Sequence, residues 1–408
     1  MDDQSDPRLD KRIGRRTYLR TAATVGLTGA GLGSLGTTAA QGDAETTQQY
    51  NVGHQTKAGR AHAKQIAVDV HHEFDVLDIT TVEVAVSDLD TLRGHEDIRF
   101  VEENPERSLD LPTSESDQQL LDELEVEQWN PNGIERIGAL AAHKLGETGQ
   151  DAHVAVIDTG IDTTHEDLQA NVGDGTAFVK STVDGGEAWA DDNGHGTHVS
   201  GTIAALDNDI GVVGVSPSAT LHPVKVLDEQ GTGTAAAIAA GIEFATCQGY
   251  DVANLSVGEP EPTQTELEAV RYAYEDGPLL VAATGNDGQP KVDYPAAHDE
   301  VIGVSAIARD DSLAPFSNTG PEVNLAAPGT LVLSTIPGNQ YGVMEGTSMA
   351  TPHVSGVAAL LAAHDLSNDE IRELLTTFAD DIGLGPNAEG AGLVNASASV
   401  EHLKTLLC

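Results

Sequence analysis

Gly346-Thr347-Ser348-Met349-Ala350-Thr351-Pro352-His353 runs directly into an apolar, small-residue stretch, Val354 to Ala363, that reads as a buried helix. The stretch sets one serine in a tight Gly-Thr-Ser turn at the start of that helix. There it lies in the positive field of the helix dipole, beside backbone N–H groups that have no intrahelical partner. A nucleophile whose attack creates an oxyanion is well served by that position. Serine is also a favoured helix cap, so the stretch alone leaves both readings open.

A serine hydroxyl needs a base, and the base needs an orienting acid. His195 stands in Asn193-Gly194-His195-Gly196-Thr197-His198-Val199, at the start of a small-residue helix. Asp158 ends an apolar strand, Val154-Ala155-Val156-Ile157-Asp158, followed by Thr159-Gly160. Open α/β sheets build their sites at the carboxyl ends of strands. The order along the chain is Asp, His, Ser, the order known for subtilisin.

These three motifs resemble those of the subtilisin-like serine peptidases, and most nearly the secreted halolysins of the haloarchaea. The resemblance covers the chain from about Gln128 onward. It implies that Ser348 is the nucleophile, His195 the general base and then acid, and Asp158 the residue that orients His195. His198 and His353 fall outside this triad. An apolar strand, Leu279 to Ala283, breaks at Thr284-Gly285-Asn286-Asp287-Gly288. The resemblance assigns Asn286 to the oxyanion hole, with the backbone N–H of Ser348. From the residues alone, Asn-Asp-Gly is a turn.

In the family, the segments matching Gly231-Thr232-Gly233 and Ser256-Val257-Gly258 flank an extended substrate and pair with its backbone. Main-chain pairing binds many sequences, so broad specificity is expected. Asp293 stands where relatives often have a small residue at the base of the primary pocket, and Asp287 is near its rim. Both would favour a basic residue on the acyl side of the cut, although acids are frequent everywhere in this chain. Ala235–Ala237 replace an aromatic residue that often lines a more distant pocket, which should therefore be wide and undemanding.

The resemblance also implies a structural calcium ion (Ca2+) held by Gln128, Asp167, Asn208 and the carbonyls of Leu206, Ile210 and Val212. Calcium favours six to eight oxygens, many of them backbone carbonyls of such loops. The bare alternative is a solvated acidic loop. No organic cofactor is expected.

Asp and Glu number 65 against 21 Lys and Arg, for a formal net charge of −44. Six of the basic residues, Arg8, Lys11, Arg12, Arg15, Arg16 and Arg20, lie in the first twenty positions. Such a balance argues against nucleic acid as a partner. With 39% hydrophobic residues the chain can still build a core, so the acids read as a halophile surface whose repulsion is relieved by salt.

Arg15-Arg16-Thr17-Tyr18-Leu19-Arg20 precedes a Gly/Ala/Thr-rich run to Ala40. The pattern reads as a twin-arginine export signal with no lasting membrane anchor. Residues 41–107 carry a helix over Ala61–Val68, an alternating strand over Thr81–Val86, a second helix over Ser87–Arg93 and a strand over Ile98–Glu103. They resemble the inhibitory propeptide of subtilisins, a built-in pseudo-substrate. Residues 108–127 form an acidic processing linker, and 128–408 the catalytic domain. Cys247 falls in a helical run and is expected to be buried.

The expected fold is α/β, a parallel sheet covered by helices on both faces and preceded by a small α+β domain. The expected protein is a secreted, monomeric serine endopeptidase acting on proteins and peptides. A non-catalytic calcium-dependent binding protein on the same fold is the rival; it would be expected to lose a triad residue, and none is lost here.

Overall fold

A computed structural model of the chain describes residues 46–109 and 128–407. The expected signal segment, the linker from 110 onward and Cys408 lie outside the described residues.

The N-terminal body contains β1 (Thr47–His54), α1 (Lys57–Ile66), β2 (Asp69–Glu73), β3 (Ile79–Ala85), α2 (Leu89–Arg93) and β4 (Ile98–Glu103). Its strands join antiparallel in the order β2-β3-β1-β4. Tyr50, Val52, Val82, Val84 and Leu92 close a small core with Ala63 of α1. The helix expected from Ala61 begins at Lys57, because Thr56 caps it by accepting the N–H groups of Ala58 and Gly59. The helix expected over Ser87–Arg93 is α-helical only from Leu89, after one 3-10 turn. A further short strand, β5 (Glu106–Ser108), leaves this body.

The larger body runs α3 (Asn132–Arg136), α4 (Ala139–Lys144), β6 (His153–Asp158), β7 (Thr176–Ala177), α5 (His195–Ala204), β8 (Thr220–Lys225), β9 (Thr232–Thr234) and α6 (Ala235–Gln248). It continues through β10 (Val252–Leu255), α7 (Gln264–Asp276), β11 (Leu279–Ala283), β12 (Ile302–Ile307) and β13 (Val323–Pro328). The hairpin β14 (Val332–Ile336) and β15 (Gln340–Met344) follows, then α8 (Thr347–Ala362), α9 (Asn368–Thr377), α10 (Pro386–Glu389) and α11 (Ala396–Leu407). Seven strands form one sheet in the order β13-β12-β11-β10-β6-β8-β7, parallel at every pairing.

The middle of the sheet is buried on both faces, which is why β6 and β11 read as nearly continuous apolar runs. Val154 and Val156 of β6 face the core shared with α5 and α8, while Ala155 and Ile157 face the core shared with α6. Val252 and Ala253 of β10 divide in the same way. The fold is therefore the expected parallel α/β sheet between helical layers.

The N-terminal body docks on the outer helices by burying Phe74, Leu77 and Ile79 against the α6 side of the core and by polar contacts to α6 and α7. Glu243 of α6 accepts the N–H groups of Asp75, Val76 and Leu77 at 3.1, 2.7 and 2.8 Å. Glu102 accepts the N–H groups of Gln264 and Thr265, both at 2.8 Å, at the start of α7. Asn104 takes the N–H of Ala236 at the start of α6. A carboxylate or carbonyl at a helix N-terminus satisfies orphan donors and complements the dipole.

Cys247 is exposed rather than buried, since it projects outward from the last turn of α6. No helix among the described residues is long and apolar enough to cross a membrane.

Candidate active site

Asp158 closes β6, and Val156 pairs with Asn254 in the parallel neighbour β10. Two residues further along, Asp158 lies level with Ser256. Ser256 in turn is locked to Ser348: its Oγ donates to the Ser348 carbonyl at 2.8 Å, and Ser348 Oγ donates to the Ser256 carbonyl at 3.0 Å. The carboxyl ends of two adjacent strands thus bring the acid and the serine to one place.

His195 opens α5, and its Nδ1 lies 2.8 Å from Asp158 Oδ1. The same Oδ1 accepts the N–H of Thr159 at 2.7 Å. That oxygen is an acceptor, so the proton sits on Nδ1 and the lone pair on Nε2. Nε2 is buried and has no hydrogen-bond partner among the described residues. It is a base with its acceptor site open.

Ser348 is the second residue of α8, not its cap. Gly346 occupies the N-cap with φ 145° and supplies no side-chain bond. That φ is one that glycine adopts freely, and the turn brings the serine into the first helical turn, where its N–H has no intrahelical acceptor. Asn286 Oδ1 accepts from both Thr347 N, at 2.8 Å, and Thr347 Oγ1, at 2.9 Å. The backbone donor fixes which end of the amide is oxygen, so the NH2 end turns away from Thr347. Asn286 and the start of α8 are thereby one rigid unit.

Asp191 is a site residue that sequence reading missed. Its Oδ1 accepts from Thr159 Oγ1, Asn193 N and Gly194 N, and its Oδ2 from Thr197 N and Thr197 Oγ1. Two of these bonds go to the turn before His195, two to Thr197 in the first turn of α5 and one to Thr159 beside Asp158, so Asp191 ties the His195 helix start to the Asp158 strand end. Lys225, fully buried, lies behind it with Nζ on Asp192 Oδ1 at 2.6 Å and on the carbonyls of Thr159 and Leu227. Nothing in the run Ala190-Asp191-Asp192 separates these acids from the many solvated ones.

His198 and His353 serve the frame. His198 Nε2 meets the Val332 carbonyl, and His353 Nδ1 meets Met349's. Burial lowers their pKa values to about 3 and about 4.

The strand β9, with Thr232 and Gly233, pairs antiparallel with β5: Glu106 faces Thr234, Arg107 faces Gly233 and Ser108 faces Thr232. Leu109 N–H extends the ladder to the Gly231 carbonyl at 2.9 Å. The segment at Gly231–Gly233 thus holds an extended strand of this same chain, and that strand runs past the expected boundary at 107. On the opposite side, Ser108 N–H is held by the Glu259 carboxylate at 3.1 Å, next to Gly258. Val257 is buried. Asp293 is buried between Gly258 and Gly285. A Cβ on Gly285 would come within 2.2 Å of its Oδ2, so the close approach requires glycine there.

The Arg107 side chain, on β5 opposite Gly233 of β9, reaches the start of α7, where it meets Glu266.

The residues expected to hold calcium draw together in part. Gln128 reaches the carbonyls of Leu206, at 2.6 Å, and Val212, at 3.3 Å. Asp167 Oδ2 accepts Val212 N–H at 2.8 Å, while its Oδ1 is buried without a hydrogen-bond partner among the described residues. Asn208 Oδ1 accepts Ile210 N–H at 3.2 Å. An orphaned carboxylate oxygen beside several carbonyls is a donor set suited to a hard cation. Among the described residues no three His, Cys, Asp or Glu side chains cluster as a metal site.

Comparison with known proteins places this geometry in a family. The subtilase family model matches residues 149–396. M-protease of Shouchella clausii (strain KSM-K16) is 42% identical over 338 residues, covering 82% of this chain and 83% of its own. Subtilisin Savinase of Lederbergia lenta is 48% identical over 271 residues, covering 66% of this chain and 98% of its own. Alkaline elastase YaB of Bacillus sp. (strain YaB) is 39% identical over 341 residues, covering 83% and 84%. These relatives are named as an M-protease, a subtilisin and an alkaline elastase, and come from bacteria, whereas the motifs pointed to the haloarchaeal halolysins. The chain belongs to the subtilase family and is a serine endopeptidase of the subtilisin type.

Proposed function

We propose that this protein is a secreted, salt-requiring endopeptidase, made as a self-inhibited precursor, which cleaves proteins through an acyl-enzyme on Ser348. The observation that carries this reading is the His195 ring, fixed through Nδ1 to Asp158, with its buried Nε2 unpartnered among the described residues.

In this mechanism a substrate strand occupies the edge of β9 and its N–H groups take cleft carbonyls. Ser348 Oγ turns from the Ser256 carbonyl to His195 Nε2, gives up its proton and attacks the peptide carbonyl. The oxyanion forms between the Ser348 N–H and the Asn286 amide. His195 hands the proton to the leaving amine, and water, deprotonated by the same ring, releases the acyl group. Asp158 keeps the ring in the required tautomer and stabilises it when charged.

Calcium at Gln128, Asp167, Asn208 and the carbonyls of Leu206, Ile210 and Val212 would tie the start of the catalytic domain to the loop after α5. Bound there, it supplies stability and takes no part in the chemistry. Residues 46–109 act as the inhibitor, with β5 standing in the cleft as a pseudo-substrate. The net charge of −44 supports a requirement for concentrated salt, and the paired arginines support export by the twin-arginine route. Asp293, between Gly258 and Gly285, supports a preference for a basic residue in the primary pocket. Equal or faster cleavage after Phe than after Arg in matched peptides would contradict that preference.

The test is casein hydrolysis in concentrated salt by the wild type and by Ser348→Ala. The variant should lose about 10⁶ in turnover, the size known for the subtilisin nucleophile. It should also accumulate as uncleaved precursor.

A further inference from the structure

Arg107 and Glu266 make a buried pair where β5 meets the start of α7. The Arg107 side chain is 5% exposed and that of Glu266 1%. Arg107 Nη2 lies 2.6 Å from Glu266 Oε2, and Nε lies 3.2 Å from Oε1. This is the two-pronged geometry in which a planar guanidinium matches a carboxylate. Nη2 also donates to the Glu261 carbonyl at 3.1 Å. Behind the carboxylate, Thr263 Oγ1 donates to Oε2 at 2.7 Å and accepts Glu266 N–H at 3.1 Å.

The two partners belong to different parts of the molecule. Glu266 is in the first turn of α7. Arg107 is on β5, the strand that occupies the edge of β9, with Gly233 as its direct partner. In the reading of β5 as a pseudo-substrate, on which this inference rests, release of β5 leaves Glu266 and the Glu261 carbonyl as an acidic pocket. Any substrate strand in the same register then places a side chain there.

We propose that Glu266 determines specificity: the cleft selects protein segments with arginine in the register of Arg107. An apolar side chain in that pocket would leave a carboxylate desolvated and unpaired, the costly arrangement for a buried charge. Lysine offers a single ammonium in place of the fork and satisfies fewer of the acceptors. The pocket is enclosed, so its preference survives concentrated salt, whereas the general attraction of an acidic surface for cations is screened away.

The test uses enzyme purified after expression of the full chain, with quenched peptides of sequence Glu-Xaa-Ser-Leu joined to one constant tail. Xaa is Arg, Lys, Leu or Glu, and the cut bond is identified by mass spectrometry. In the wild type, kcat/KM for Arg should exceed that for Leu by about 30-fold or more, as expected for a desolvated charge pair, with Lys between. The ratio should persist in concentrated salt. In Glu266→Leu it should fall to near one or reverse. Glu266→Gln, which keeps the side chain's shape and can still accept from Thr263, should fall in the same direction if the leucine variant does not fold. Equal wild-type rates for Arg and Leu, or an undiminished Arg preference in Glu266→Gln, would overturn the proposal while leaving the peptidase reading intact. Failure to cleave any of the peptides or casein would overturn the peptidase reading and this proposal with it.

Discussion

Asn286 shows how much a single residue gains from its partners. Its oxygen is held by Thr347, one residue before Ser348, so the Asn286 amide is tied to the start of the Ser348 helix. Replacing it by Leu should lower kcat by roughly 10²–10³ with little change in KM, the loss known for the equivalent donor in subtilisin. A change confined to KM would remove Asn286 from the oxyanion hole. Asp158, His195 and Ser348 were legible because each sits in a distinctive motif at a strand end or helix start. Asp191 and Lys225 were not. Their roles arise from bonds to the Thr159 and His195 turns, and the local sequence around Asp191 is only another acidic pair. Glu266 was hidden for the same reason, since Arg107 is 159 positions away.

At the scale of elements, the central strands were readable because both of their faces are buried and their sequences are continuously apolar. The elements missed are those whose burial depends on a distant partner. β1 reads Thr-Gln-Gln-Tyr-Asn-Val-Gly-His, yet it lies at the middle of its sheet, with Asn51 buried and paired to Thr81 Oγ1 at 2.8 Å. β13 includes Pro328, which marks a loop unless the strand is known to lie at the sheet's edge. The docking of the N-terminal body uses helix starts as well as Glu243 within α6, and Glu102 takes three bonds from Gln264 and Thr265. Glu102→Ala should weaken the dock by about 1 kcal/mol, the usual worth of a helix cap. Activity should then appear several-fold sooner after precursor cleavage. An unchanged lag, followed by gel and peptide assay, would mean that release is limited elsewhere.

For the whole molecule, charge and buried histidines set the conditions of use. The 65 acids repel one another when salt is dilute, so dilution should inactivate the enzyme and restored salt should protect it. A chelator at high salt should shorten its thermal and autolytic lifetime; an unchanged lifetime would remove the calcium site. His198 and His353 are held neutral by burial, at about 3 and about 4. The unfolded chain takes up these protons near pH 6.5 and the folded chain does not, so stability is full above 6.5 and falls as the pH drops toward 4. The slope should approach about 1.4 kcal/mol per pH unit for each histidine, and thermal melts at constant salt would measure it. A melting temperature flat between pH 6.5 and 4.5 would contradict it. The central claim is that Ser348, served by His195 and Asp158, hydrolyses peptide bonds. Casein hydrolysis in concentrated salt, by wild type and Ser348→Ala prepared side by side, tests it most directly. The account predicts rapid hydrolysis by the first and a loss of about 10⁶ in the second; comparable activity in both, or none in either, would contradict it.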